Sequence, residues 1–131
     1  MSDVLFRLVL GHIMGDYMLQ TRWMAYGKKA RTMEGALCAG AHTLAYTASV
    51  CAWLLPECVE APWLVTAIWL THWPIDRFPV AEWIIHTLGR KGPCEAAIPG
   101  EAAVSAFVYI VIDNGIHLML MYAALKLAGV A

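Results

Sequence analysis

The amino-acid sequence predicts an all-α membrane protein, a bundle of four transmembrane helices that forms a single domain over residues 1–131. Hydrophobic residues make up 60% of the chain and charged residues 15%, which is far more apolar than the composition of soluble domains. The mean hydropathy is +0.60. The apolar residues fall into four segments, each close to the roughly 20 residues that a membrane-spanning helix needs, at about 4–20, 35–55, 62–85 and 102–128.

Polar stretches separate the four segments. Residues 21–34 are polar and basic, "PECVEAP" at 56–62 is short and acidic, and residues 89–101 are rich in glycine and proline. Helices are expected to stop in all three connectors. Within the third segment, Pro74 and Pro79 predict a kink or an early end, with residues 79–88 lying along the membrane interface.

The distribution of charge predicts the orientation. The first and third connectors carry basic residues, whereas the second carries only Glu57 and Glu60. Because basic loops tend to stay in the cytoplasm, both basic connectors are expected there and both termini outside, in a bacterial inner membrane. The net charge of −1 and the scattered basic residues argue against a nucleic-acid partner, so membrane lipid is the expected one. The four cysteines lack CxxC spacing, which argues against a zinc ribbon or a dithiol redox site.

Ionisable side chains recur inside every apolar segment. Three Asp/His pairs stand at separation four, where the four aspartates and five histidines of this chain would give roughly 0.3 such pairs by chance. On a helix, this spacing places both side chains on one face. In the first and third segments His precedes Asp, whereas in the fourth segment, which runs in the opposite direction, Asp precedes His. All three aspartates are therefore expected toward the cytoplasm and the histidines deeper in the membrane, in one shared site. Its residues are His12, Asp16, His42, His72, Asp76, Asp113 and His117.

These seven side chains predict a metal site. Any one of them alone is equally well explained as a hydrogen-bonded structural residue, but buried charges in a membrane need partners, and few arginines or lysines lie within the segments. Four imidazoles and three carboxylates suit Zn, Mn, Fe or Ni, as one ion or as two ions bridged by an aspartate. Asp16, Asp76 and Asp113 are the predicted catalytic carboxylates. Small residues beside these positions are expected to allow close helix packing, namely Gly11, Gly15, Gly40, Ala41 and Gly115.

Several functions fit such a site. A metal-dependent hydrolase acting on a lipid or a phosphoester is the favoured hypothesis, with an anionic group bound at the cytoplasmic mouth by Gln20, Arg22, Lys28 and Arg77. The basic residues are also explained by membrane orientation alone. A transporter or channel for a metal ion or a proton would use the same residues, and with only four short spans it would be a homo-oligomer. A redox or haem-binding protein and an interaction protein without a catalytic site are further alternatives.

The motifs also resemble a known family. "HIMGDYMLQTRWMAYGK", the single His42, "HWPID" and "DNGIH" are similar to the pattern of the DUF3307 family, small phage and bacterial membrane proteins of unknown function, whose motifs are HxxGDFxLQ, HxxxD and DQxxH. The resemblance covers nearly the whole chain. It implies a membrane location and a phage origin, and departs from the pattern at Tyr17, where Phe is usual, and at Asn114, where Gln is usual. Carried over by position, it marks His12, Asp16, Gln20, Lys28, His42, His72, Asp76, Asp113 and His117.

Overall fold

The computed structural model describes residues 2–95 and 98–130, and the regular structure of these residues is helical. The all-α class is therefore confirmed. The elements in chain order are α1 (Ser2–Ile13), a π-helical turn (Met14–Met18), α2 (Arg22–Gly27), α3 (Met33–Trp53), α4 (Leu55–Glu60), α5 (Trp63–Arg77), α6 (Val80–Thr87), a 3-10 turn (Pro93–Glu95) and α7 (Pro99–Leu127).

The four long helices α1, α3, α5 and α7 correspond to the four apolar segments of the sequence. Helix α3 packs against both α1 and α5, α5 packs against α7, and α7 returns to α1, which closes the bundle. An apolar core fills the end of the bundle near α4, where Leu8, Val50, Leu54, Leu64 and Leu125 are almost completely buried. The interior nearer the π-helical turn is polar and is lined by histidines and aspartates.

The helix lengths support only part of the prediction of four membrane spans. Among the described residues, α7 is the one helix long and apolar enough to cross a membrane by length and composition, with 29 residues and a hydropathy of 1.6. Helices α1 and α5 have 12 and 15 residues, fewer than the roughly 20 that a bilayer requires. The lengths alone therefore do not establish a four-span bundle.

The third segment, predicted over 62–85, is two helices. Helix α5 ends at Arg77, Phe78 is extended, and α6 begins after Pro79, because a residue that precedes proline is driven out of the helical conformation. Pro74 lies inside α5 without ending it. The early end of this segment is thus observed, and Pro79 explains it.

The connectors are more helical than the sequence indicated. The preceding helical segments end at Met18 and Trp53, as expected, but residues 21–34 and 56–62 also contain α2 and most of α4, two short helices that were not expected. The Thr21 side chain accepts a hydrogen bond from Met24 N and caps α2, and the Thr32 side chain accepts one from Gly35 N and caps α3. Such threonine caps stabilise helix starts, so a polar stretch rich in caps forms a short helix here.

Two of the four glycines expected at helix contacts lie at such a contact. A Cβ on Gly11 would meet Val50 Cα at 2.9 Å, and a Cβ on Gly15 would meet the Tyr46 ring at 2.7 Å. These glycines therefore permit the close approach of α1 to α3. Gly40 and Gly115 face open space, so for them the expectation of close helix packing is wrong.

Candidate metal centre

Side chains from all four long segments meet in the polar half of the bundle. The histidines and Asp76 are nearly inaccessible, whereas the side chains of Asp16 and Asp113 are 12% and 22% exposed. The cluster is therefore open on its aspartate side. It contains Asp16 from the π-helical turn, His42 from α3, His72 and Asp76 from α5, and Asp113 and His117 from α7.

Four of these side chains form a first ligand group, made of Asp16, His42, His72 and Asp76. His42 Nε2 lies 2.7 Å from Asp76 Oδ2 and 3.1 Å from Asp16 Oδ1. His72 Nε2 lies 3.1 Å from the same Asp76 oxygen, 3.5 Å from Asp16 Oδ1 and 3.1 Å from His42 Nε2. Two imidazole nitrogens and two carboxylate oxygens thus converge on one point.

The spacing of the first ligand group fits a metal ion. A metal–ligand distance of about 2.1 Å places neighbouring ligands roughly 3.4 Å apart in a tetrahedral site and roughly 3.0 Å apart in an octahedral one. The observed separations of 2.7–3.5 Å span both values. Asp76 Oδ2 is buried and has no hydrogen-bond partner of good geometry among the described residues, which a bound cation would supply.

A second ligand group adjoins the first and shares Asp76 with it. This group consists of Asp76, Asp113 and His117. His117 Nε2 lies 3.7 Å from Asp76 Oδ1 and 3.9 Å from Asp113 Oδ2, and this buried nitrogen has no hydrogen-bond partner among the described residues. The two oxygens of Asp76 therefore face different groups, as the oxygens of a bridging carboxylate do.

Local structure fixes the first ligand group in place. Asp16 lies in the π-helical turn, which packs against α3, and such turns are common at functional sites. The fully buried Tyr46 ring stacks on His72 with the centroids 3.5 Å apart. His72 Nδ1 meets His117 Nδ1 at 3.2 Å, so the ring nitrogen that faces away from the first group has a partner, as is usual for metal-binding histidines. His42 Nδ1, in contrast, has no such partner among the described residues.

His12 lies beside the two ligand groups. Its Nδ1 is 2.8 Å from the Tyr46 hydroxyl and 3.3 Å from Asp16 Oδ2, and its Nε2 is 2.6 Å from Asn114 Oδ1. Both ring nitrogens therefore already have partners. The sequence grouped His12 with the ligands, whereas in the structure it lies outside both ligand groups, with Asp16 Oδ2 at 3.3 Å as its contact with them.

Lys28 reaches the cluster from the end of α2. Its Nζ lies 2.9 Å from Asp76 Oδ1. In the amide orientation that satisfies both of its neighbours, Gln20 accepts a hydrogen bond from Lys28 Nζ at 2.9 Å and donates one to the Asp16 carbonyl at 3.1 Å. Of the four predicted substrate-binding residues, these two touch the cluster.

The other two predicted substrate-binding residues line separate cavities. Arg77 follows Asp76 in the chain, donates to the Lys28 carbonyl at 3.2 Å and lines a basic cavity of about 350 Å³, together with Lys29, Arg31, Phe78, Pro79 and Glu82. Burial opposes the charge of Lys29, but the hydrogen bond to the Tyr109 hydroxyl and the nearby charges of Tyr109, Glu82 and Asp113 together raise the pKa of Lys29. Arg22 lines another cavity, between α2 and the start of α3.

Sequence reasoning did not single out Tyr46 or find a role for Asn114, although both contact His12. Tyr46 looks like an ordinary aromatic residue of an apolar helix, and only the distances identify it as a partner of two histidines. Asn114 lies next to Asp113 inside an apolar segment, and such a position could have drawn attention to its amide, which bridges His12 and the Tyr17 hydroxyl at 2.6 Å each.

The comparison with protein families agrees with this reading of the motifs. A family model described as a protein of unknown function, DUF3307, matches residues 4–130. Searches among curated proteins and solved structures found no match. Because the family model spans nearly the whole chain, the protein belongs to the DUF3307 family.

Proposed function

We propose that the protein is a membrane-embedded, metal-dependent hydrolase that acts on a phosphoester, such as the headgroup linkage of a membrane lipid. The observation that carries this proposal is the first ligand group, in which two imidazole nitrogens and two carboxylate oxygens converge inside the bundle. The metal would be Zn, Mn, Fe or Ni, which accept this donor set.

The surface of the bundle supports a membrane location. In the most apolar part of α7, only 17% of the residues are buried within the protein, and Phe107 and Met119 are 67% and 73% exposed. An apolar helix at the core of a soluble protein would be mostly buried, and large exposed apolar surfaces mark contacts with lipid or with a partner. The proposed orientation keeps the basic connectors in the cytoplasm, which places the open, aspartate side of the cluster toward the cytoplasm.

The residues around the first ligand group suit hydrolysis. A bound divalent ion lowers the pKa of a coordinated water and polarises a phosphoryl oxygen. Asp113 lies outside the first group and is its most exposed neighbouring carboxylate, so it is placed to accept the proton of an attacking water. Asp16 and Asp76 would hold the ion, and His12 would hold Asp16 in position.

The basic cavity beside the centre suits an anionic headgroup. Lys29, Arg31 and Arg77 outnumber the one acidic residue in its lining, Glu82, and cationic side chains of this kind bind phosphate oxygens. The exposed side chains of Phe78 and Trp83 lie at the adjoining surface, where acyl chains would pack. Arg77 connects this cavity to the centre through the Lys28 backbone.

Elemental analysis of the detergent-purified protein tests the metal centre. Release of the headgroup from phosphatidylglycerol vesicles tests the reaction. We expect stoichiometric metal and metal-dependent release, with Asp113→Asn abolishing release while the protein retains its metal. Protein without stoichiometric metal would overturn the centre. Metal-loaded protein that releases no headgroup would overturn this hydrolase.

A metal-ion or proton transporter is the second candidate. The row of buried histidines favours it, because His42, His72 and His117 contact one another in series at 3.1 and 3.2 Å, and such rows relay protons or ions in membranes. Flux of protons or metal into proteoliposomes that His72→Ala abolishes would favour this function over hydrolysis. Haem binding receives no support from the geometry, because these contacts leave no space for a porphyrin between the rings.

A further inference from the structure

The charges of the cluster do not balance without an added cation. The two ligand groups contain three carboxylates, those of Asp16, Asp76 and Asp113, and the ammonium group of Lys28 contacts one of them, at 2.9 Å. With neutral histidines, one divalent ion and Lys28 together supply three positive charges against three negative ones. Two divalent ions and Lys28 would leave an excess of two positive charges in a mostly buried site, which is unfavourable.

Lys28 occupies the oxygen that a second ion would need. Its Nζ binds Asp76 Oδ1, and this oxygen is the one that lies nearest His117 Nε2 in the second ligand group. A lysine ammonium cannot bind a metal while it is protonated, and it repels a cation that approaches the same carboxylate.

The position of Lys28 is built into the fold and differs from that of an ordinary surface lysine. Its side chain is 16% exposed, and its carbonyl accepts a hydrogen bond from Arg77 of α5. The preceding residue, Gly27, packs so tightly on α3 that a Cβ there would meet Cys38 Sγ at 2.3 Å. The side-chain oxygen of Gln20 then accepts from the ammonium group. Contacts from three directions therefore direct Lys28 to Asp76.

We propose that the centre holds one divalent ion, in the first ligand group, and that Lys28 is the second cation of the site and excludes a second ion. The inference rests on the proposed metal centre and adds its stoichiometry. Lys28 would then neutralise the carboxylate that bridges the two groups, a role that a second metal has in dinuclear centres.

Metal-to-protein ratios at saturating Mn²⁺ test the proposal. We expect a ratio near one for the wild type and a ratio that rises toward two for Lys28→Met, because removal of the ammonium frees Asp76 Oδ1 and lets Asp76, Asp113 and His117 bind a second ion together. Lys28→Arg keeps the charge and should stay near one. Lys91→Met is the control, since Lys91 is an exposed lysine that pairs with Glu101 instead of the cluster, and its ratio should also stay near one.

Electron paramagnetic resonance gives a second measurement on the unmodified protein. One isolated Mn²⁺ gives a resolved six-line spectrum, whereas two bridged ions give a coupled one. A wild-type ratio of two with a coupled spectrum would overturn the proposal even if Lys28→Met fails to fold. A ratio of one in both the wild type and folded Lys28→Met would overturn the role of Lys28 and leave the metal centre intact. A ratio near zero in the wild type would overturn the metal centre itself.

Discussion

Two ionic clusters are buried toward opposite ends of the bundle, and they differ in how their charges are satisfied. At the α4 end, Arg7 binds both oxygens of Glu57, at 3.0 and 2.5 Å, and donates to the Trp53 carbonyl at 3.1 Å. This pair has one cation for one buried carboxylate and is complete in itself. It ties α1 to the α3–α4 corner.

The His/Asp cluster lacks this balance. Its carboxylates outnumber the cations in contact with them, and buried atoms such as His117 Nε2 and Asp76 Oδ2 have no hydrogen-bond partner of good geometry among the described residues. A fold that needed only stability would pair such groups, because unsatisfied buried polar atoms cost about 1–3 kcal/mol each. The comparison therefore separates an ion pair that holds helices together from a cluster that could hold a metal ion.

Of the substitutions considered, Asp76→Asn is expected to have the largest effect, and it tests whether the His/Asp cluster binds a metal. Asp76 belongs to both ligand groups, so its loss should weaken metal binding by more than the roughly 100-fold that removal of an outer partner can cost. Metal titration and elemental analysis measure this effect. Wild-type metal affinity in folded Asp76→Asn would contradict the assignment of the cluster as a metal centre.

Glu57→Gln is the corresponding carboxylate-to-amide change in the other cluster. It leaves the partly buried Arg7 with only the exposed Asp3 as a counter-charge. Breaking a fully buried ion pair costs about 3 kcal/mol, so a smaller loss is expected at this partly exposed pair. We expect a lower free energy of unfolding in detergent and an unchanged metal content. If the folded variant loses metal to the same extent as Asp76→Asn, the two clusters are not independent.

The sequence predicted the parts of the cluster that depend on helical spacing. His72 with Asp76 and Asp113 with His117 each come to one site, since separation four places both members of a pair on one helix face. The same spacing did not distinguish a ligand from its neighbour. His12 differs from His72 in having Tyr46 and Asn114 against its ring nitrogens, and those contacts depend on how α1, α3 and α7 pack.

Helix boundaries likewise could be predicted from the sequence only where they depend on local residues. The break at Pro79 was predictable, because proline acts on the residue directly before it. The short helix α2, which places Lys28 beside Asp76, was not predictable. It depends on the tight contact of Gly27 with Cys38 of α3, which is a tertiary contact. Local rules predicted the elements, whereas tertiary contacts determine which polar residues reach the centre.

Gly15→Ala tests whether the close approach of α1 to α3 maintains the centre. The added methyl would overlap the Tyr46 ring, and overpacking of this kind costs about 1–3 kcal/mol. Since Asp16 is the next residue, we expect a lower free energy of unfolding together with weaker metal binding. Gly115→Ala is the matched control, because its methyl would enter open space and alanine favours the helix. Equal effects of the two changes would show that the tight contact at Gly15 has no special role.

Tyr46→Phe should have the smallest effect and tests the outer partners of the centre. The ring that stacks on His72 remains, but the hydroxyl that contacts His12 Nδ1 is lost, which costs about 1 kcal/mol. His12 would then orient Asp16 less firmly, and metal affinity should fall about tenfold, the lower end of the range for outer partners. Tyr17→Phe is the control, because Tyr17 is a half-exposed residue whose hydroxyl contacts Asn114, and the metal affinity of this variant should match the wild type. A Tyr46→Phe protein with wild-type metal affinity would mean that Asp16 is held by the π-helical turn alone and that His12 and Tyr46 contribute packing.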